Sequence, residues 1–286
     1  MRTLKTVEEI RRFSRARKAE GHRVALVPTM GYLHEGHLSL VREGKRRASC
    51  VLASIFVNPI QFGPREDLDR YPRDLPRDSA LLEAEGVDAL FAPEVEEMYP
   101  HGFATRVNVE GPLTEGLCGA RRPGHFSGVA TVVTKLFAAC EPDVALFGQK
   151  DAQQAAVIRR FTRDLDLPVE IVVCPIVRER DGLAMSSRNV YLSPEERSQA
   201  PALFRSLRAA EALFASGERR AEVLLDTVRR EIARAPLARL DYAELVDAES
   251  LVPVQRVEAP ALLALAVFFG STRLIDNTVL SPFPGA

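Results

Sequence analysis

Two imidazoles, His34 and His37, stand three positions apart in "VALVPTMGYLHEGHL", with Gly31 ahead of the pair and Gly36 between its members. Gly31 and Gly36 have the G-x-x-x-x-G spacing of a phosphate-binding loop, but His37 and Leu38 occupy the places where that motif needs Lys and Ser or Thr. The zinc-protease pattern H-E-x-x-H would need its second histidine at position 38, which is leucine. A G-x-G-x-x-G dinucleotide fingerprint is missing as well. What remains is an apolar strand, a glycine turn and H-x-G-H at the start of a helix. Backbone N–H groups and the helix dipole favour an anion at such a place, and Gly36 lets the main chain approach it. Two imidazoles beside it can donate to phosphate oxygens. A lone histidine there would more often cap and pack the helix start; the paired spacing behind a strand favours the phosphate reading.

Three further stretches carry polar groups in suggestive places. "FGQKDAQQ" puts Gly148, Gln149, Lys150 and Asp151 between a strand and a helix, again an anion-binding position. Asp151 and Gln154 have the spacing of a helix cap, whereas Lys150 has no structural need there and is the better functional candidate. "DGLAMSSRN" offers Ser186, Ser187 and Arg188, and hydroxyls beside a guanidinium fork suit phosphate. "SIFVNPIQF" brings Asn58 and Gln61 to the end of an apolar run. They either close an Asn-Pro turn or face a ligand crevice, and spacing alone leaves the two readings level. Asn58 is grouped with Gln61 among the substrate-binding candidates.

These groups need a scaffold, and the chain alternates to supply one. Thr6 and Glu9 form a capping box for a first helix, after which "HRVALVP", "CVLASIFV", "VDALFAP", "DVALFG" and "PVEIVVCPIV" read as buried strands. Helical segments "PRDSALLEAEG", "GVATVVTKLFAAC" and "DAQQAAVIRRFTRDL" lie among them. Short apolar strands alternating with amphipathic helices predict a Rossmann-like, doubly wound parallel sheet. Such sheets collect ligands beyond the carboxyl ends of their strands, which is where the H-x-G-H turn falls. After "RERDGLAMSSRN" the pattern changes: a long helix from Ser193-Pro194 to about Ser216, a second from about Ala221, then three strands with no helix between them. This predicts an α/β domain over residues 1–183 and a smaller α+β domain over residues 184–286.

The bulk properties exclude several classes. A chain of 286 residues with 46% hydrophobic content can build its core without metal or disulfide staples. Net charge is -1, from 38 basic and 39 acidic residues, so a nucleic-acid face or an acidic-membrane surface is not expected. Cys50, Cys118, Cys140 and Cys174 are scattered without a C-x-x-C, as in reduced cytoplasmic proteins. The charged, periodic N-terminus is unlike a signal peptide, no stretch approaches a membrane span, and "SPFPGA" reads as a loose tail.

In order along the chain, "PTMGYLHEGH", "SIFVNPIQF", "RPGHFSGV", "FGQKDAQQ", "DGLAMSSRN" and "RLIDN" resemble the pantothenate synthetase (pantoate-β-alanine ligase) family of the HIGH-motif nucleotidyltransferase superfamily. The resemblance implies ATP-dependent condensation of (R)-pantoate with β-alanine through an enzyme-bound pantoyl adenylate, with release of AMP and pyrophosphate, a requirement for Mg²⁺, and a homodimer. Carried over by motif, Met30, Gly31, Tyr32, Leu33, His34, Glu35, Gly36 and His37 would line the ATP site. His37 would be the proton donor, His34 its phosphate-binding partner, and Lys150 the third catalytic group. Gly148, Gln149, Lys150, Asp151, Val177, Met185, Ser186, Ser187 and Arg188 would complete that site, the last four in place of the "KMSKS" loop. Gln61 and Gln154 would hold pantoate, with Gln61 also near β-alanine. The chain departs from the family's usual pattern at Cys118, where "LEG" has glutamate, at Gln149 for the glutamate of "FGEKD", and at Ala152 for the aromatic of "KDYQQ". No metal ligand is assigned. The rival readings are a relative in the superfamily with another acceptor, and a nucleotide-binding regulatory module without turnover.

Overall fold

The computed structural model describes residues 1–64 and 66–282; the expected loose tail lies outside the described residues from position 283 on. In chain order the elements are β1 (Arg2–Leu4), α1 (Val7–Ala19), β2 (Val24–Thr29), α2 (Glu35–Arg47), β3 (Cys50–Ile55), α3 (Leu75–Ala84), β4 (Ala89–Phe91), α4 (Val95–Met98), α5 (Pro112–Glu115), α6 (Leu117–Arg121), α7 (His125–Cys140), β5 (Val144–Gly148), α8 (Ala152–Asp164), β6 (Glu170–Cys174), α9 (Pro194–Gln199), α10 (Ala202–Ala215), α11 (Ala221–Ala233), β7 (Ala238–Asp247), β8 (Ala261–Phe269) and β9 (Thr272–Leu280). Two compact units interleave along the chain. The first comprises residues 1–109, 122–149 and 154–175, and the second residues 110–121, 150–153 and everything described from Ile176 onward.

The first unit is built on a parallel sheet of order β1-β4-β3-β2-β5-β6. β2 has β3 on one side and β5 on the other, so chain and sheet order reverse there, the switch point at which doubly wound sheets leave a crevice. The core of β2 explains its central place. Val24, Ala25, Leu26 and Val27 are wholly buried, as expected of a strand covered on both faces. Full burial of each large aliphatic side chain stabilises the fold by roughly 1.5–3 kcal/mol. α2 presses onto this sheet at Gly44, where an added Cβ would sit 3.5 Å from both Ala25 Cβ and Leu146 Cδ2. That contact aims the N-terminus of α2 at the carboxyl end of β2.

The second unit has its own core. Antiparallel β7, β8 and β9 form a sheet in that order, with β8 almost wholly buried, and α10 and α11 cover it through Leu203, Leu207, Leu224 and Val228. The expected long helix from Pro194 is two, α9 and α10. Pro201 at the junction has no amide hydrogen to continue the ladder. β1, three residues at the sheet edge beside β4, carries too short a signal to be read from sequence. Thr6 and Glu9 close their capping box as expected.

Candidate active site

The turn after β2 is held from several sides. Thr29 Oγ1 donates to the Ser54 carbonyl at 2.7 Å and accepts the Gly31 N–H at 3.1 Å. Gly31 has φ +82°, and an added Cβ would meet Ile55 Cγ2 at 3.0 Å and Asp78 Oδ2 at 3.1 Å, so this position needs glycine twice over. Tyr32 follows with φ 49°. Asp78, on the first turn of α3 and 1% exposed, accepts the N–H groups of Tyr32 and Leu33 at 2.6 and 2.8 Å. Arg77 donates to the Leu33 carbonyl at 2.9 Å and lies 5.2 Å above the Tyr32 ring. Burial pushes the Asp78 carboxyl above its ordinary range, against the pull of those two amides. Asp78 carries no motif and sits 45 residues from Leu33, which is why sequence reading passes over it.

His34 is the N-cap of α2, and its Nδ1 accepts the Gly36 N–H at 3.1 Å, while His37 Nδ1 accepts the His34 N–H at 3.3 Å. The capping reading and the ligand reading are therefore compatible. A ring nitrogen that accepts carries no proton, so each neutral imidazole bears its hydrogen on Nε2 and is an N–H donor at that atom. The ring centroids are 4.1 Å apart, with the ring planes tilted by 38°. Around them the side chains are otherwise engaged: Leu33 is buried in the core, Tyr32 stacks under Arg77, and Glu35 pairs with Arg42.

Gln61 and Asn58 form one buried amide chain. Asn58 Nδ2 donates to Gln61 Oε1 at 2.9 Å and to the Gly128 carbonyl at 3.1 Å, and Asn58 Oδ1 accepts the Tyr99 hydroxyl at 2.7 Å. Carbonyl and hydroxyl fix which end of the Asn58 amide is oxygen, which in turn makes Gln61 Nε2 the donor at the far end of its amide. That nitrogen lies 3.3 Å from Met30 Sδ, joining Gln61 to the turn after β2. Asn58, 1% exposed, thus supports Gln61. Gly128 on α7 makes the close approach possible, because a Cβ there would stand 2.5 Å from the Ile60 carbonyl and 2.6 Å from Gln61 Cα.

β5 ends at Gly148 and passes directly into the Gln149–Asp151 3-10 turn. Lys150 Nζ lies 3.5 Å from Asp151 Oδ2, and the Lys150 carbonyl accepts Asn277 Nδ2 at 3.0 Å. Of the adjoining glutamines, Gln153 is buried and tied to Cys118, Leu113 and Gly116, whereas Gln154 is half-buried. In the second unit the Met185 N–H bonds the Val177 carbonyl at 3.0 Å, so these two distant candidates are hairpin partners. Ser186 caps the next turn by accepting the Arg188 N–H at 3.2 Å, and Ser187 is buried beside it. Cys118 is buried, 3.4 Å from both the Tyr242 hydroxyl and Arg273 Nη1. Arg273 finds its carboxylate in Asp241 instead, at 2.9 Å.

Comparison with known proteins gives one answer. The family model described as pantoate-beta-alanine ligase matches residues 2–279. Pantothenate synthetases of Roseiflexus sp. (strain RS-1) and Thermotoga petrophila are 61% and 54% identical over 280 residues, covering 98% of this chain and 99% and 100% of theirs. The crystal structure of pantothenate synthetase from Thermus thermophilus is 52% identical with TM-score 0.93, covering 99% of this chain and 100% of that one. The ligase from Francisella tularensis, complexed with beta-gamma ATP and β-alanine, is 32% identical with TM-score 0.80, covering 98% and 97%. The chain belongs to the pantoate-beta-alanine ligase family of enzymes.

Proposed function

We infer that the chain condenses (R)-pantoate with β-alanine in two half-reactions: pantoate attacks ATP to give pantoyl adenylate and pyrophosphate, and β-alanine then takes the acyl group and releases AMP. The observation that carries this reading is the pair of Nε2–H donors at the N-terminus of α2, beyond the switch point of the sheet. Attack of a carboxylate on the α-phosphorus gathers negative charge on phosphoryl oxygens and on departing pyrophosphate. Fixed donors stabilise that charge without reorganising, each worth roughly 3–4 kcal/mol of barrier. His37 donates to the reacting phosphate, His34 binds beside it, and Lys150 supplies a movable cation. Gly148, Gln149, Asp151, Val177 and Met185 to Arg188 complete the nucleotide site on the strength of the family motifs.

Gln61 and Gln154 hold pantoate by neutral amides, which grip hydroxyls and leave its carboxylate free to attack. The Asn58 anchor supports this, since it occupies the Gln61 oxygen and leaves the nitrogen, on the Met30 side, as the donor. Among the described residues no cluster of His, Cys, Asp and Glu could cage a metal ion, and Mg²⁺ commonly keeps water and phosphate oxygens as most of its ligands, so an ion carried in on ATP fits this donor set. When bound it neutralises triphosphate charge. A homodimer follows from the family resemblance. A cytoplasmic setting is favoured by four free, buried cysteines; among the described residues no helix is long and apolar enough to cross a membrane.

The test is isotope exchange between pyrophosphate and ATP. It is expected with pantoate alone, before any β-alanine is added, and with no other carboxylic acid. Exchange that needs β-alanine, or none at all during turnover, contradicts the adenylate.

A further inference from the structure

A second polar cluster of the first unit converges on the main chain of Gln61. Arg122 Nε donates to Glu66 Oε1 at 2.7 Å and Nη2 donates to Oε2 at 2.6 Å, a bidentate guanidinium-carboxylate fork. Arg122 Nη1 lies 3.0 Å from His125 Nε2, and His125 Nδ1 lies 2.9 Å from the Gln61 carbonyl oxygen. A carbonyl can only accept, so the imidazole carries its proton on Nδ1 and accepts the guanidinium at Nε2. His125 is buried, while Arg122 and Glu66 keep 18% and 24% of their side chains exposed. The fork is therefore braced by His125 and the Gln61 main chain, and both of its side chains keep a part in reach of solvent.

An acceptor such as β-alanine makes two demands. Its amine must reach an acyl carbon held at the Gln61 side chain, and its carboxylate, two methylenes away, must meet a cation. Gln61 links two such places over a path two bonds longer. Its side-chain nitrogen touches Met30 in the nucleotide turn, two methylenes separate that amide from the main chain, and its carbonyl end touches His125 and Arg122. Replacing one carboxylate by another on a guanidinium leaves the charge of the pair unchanged, which avoids the cost of stripping a partly buried cation of its partner.

We propose that Arg122 recognises the carboxylate of β-alanine, and that Glu66 is an internal carboxylate which fills the guanidinium fork until the substrate exchanges for it. This rests on the two half-reactions inferred above and assigns the acceptor specificity of the second. An uncharged fork should cost the acid substrate its advantage over its amide while leaving adenylate formation in place.

The experiment compares native enzyme with Arg122→Gln, Arg122→Lys and Glu66→Gln, measuring pantoate-dependent ATP-pyrophosphate exchange and the kinetics of β-alanine against β-alaninamide. Arg122→Gln is expected to keep exchange, to raise the KM for β-alanine by about tenfold or more, as loss of a charge-assisted pair implies, and to leave the amide unaffected. Arg122→Lys should fall between, and Glu66→Gln should lower the KM for β-alanine. An unchanged KM in Arg122→Gln, equal losses for acid and amide, or loss of exchange in that variant overturns the proposal. Absence of exchange in native enzyme strikes the adenylate reading instead, and the acid-to-amide ratio still decides the role of Arg122.

Discussion

The turn after β2 and the turn after β5 leave neighbouring parallel strands, yet they are held in different ways. In the first, both imidazoles are locked by main-chain N–H groups and the turn is clamped by buried Asp78. In the second, Lys150 and Asp151 meet at 3.5 Å with 22% and 45% of their side chains exposed. A neutral N–H donor loses its value quickly with angle and distance, whereas a charge acts over a longer range. Under the proposed function, the fold fixes the groups whose direction would matter and leaves partly exposed the group whose sign would matter.

The comparison can be broken most sharply at His37. His37→Ala removes a fixed donor and is expected to cost about 10²- to 10³-fold in pantoate-dependent exchange, with unfolding behaviour close to native. Near-native exchange would place the function elsewhere. Next comes Gly128→Ala, which adds a methyl group 2.5 Å from main chain. Overpacking of this kind costs about 1–3 kcal/mol, and chemical denaturation together with a raised KM for pantoate should register both the strain and a displaced Gln61. Asp78→Asn offers an NH₂ group to one of two N–H donors, leaving it unsatisfied at about 1–3 kcal/mol, and should raise the KM for ATP more than that for pantoate. Equal KM values in native and variant enzyme would show that the turn holds its shape without the clamp.

The smallest expected effect concerns acid stability. Burial alone would raise the Glu66 carboxyl, but its bonds to Arg122 outweigh that and hold it below its ordinary 4.5. A folded-state value below the unfolded one contributes stability that is present above 4.5 and lost as pH falls through the folded value. Urea unfolding of Arg122→Gln against native protein should therefore differ most above that pH and converge in acid. A constant difference across the range would mean that Arg122 stabilises by packing alone.

Much of this was legible along the chain because it is local. The apolar run Val24–Val27, the glycine turn and the helix capped by His34 announce themselves within a dozen or so positions, and the cap reading of His34 is met while leaving room for the proposed ligand role. The supports are not local. Asp78, Tyr99 and Gly128 reach their partners across 41 to 70 positions, and nothing in their own neighbourhood distinguishes a clamp from an ordinary helix acid, a half-buried phenol or a small helix residue. Pro201 was visible, but the helical pattern on either side of it masked the break between α9 and α10. The two compact units interleave, which no single cut along the sequence can represent.

Under the proposed function, both imidazoles of the β2 turn present Nε2–H to the triphosphate. Nitrogen NMR of enzyme labelled with ¹⁵N-histidine tests it directly, with His34→Gln and His37→Gln used to assign the signals. His34 and His37 are expected to be neutral with the proton on Nε2, and ATP is expected to shift those two Nε2 resonances while the Nδ1 resonances stay near their starting positions. Protons found on Nδ1, or Nε2 resonances indifferent to saturating ATP, would contradict it.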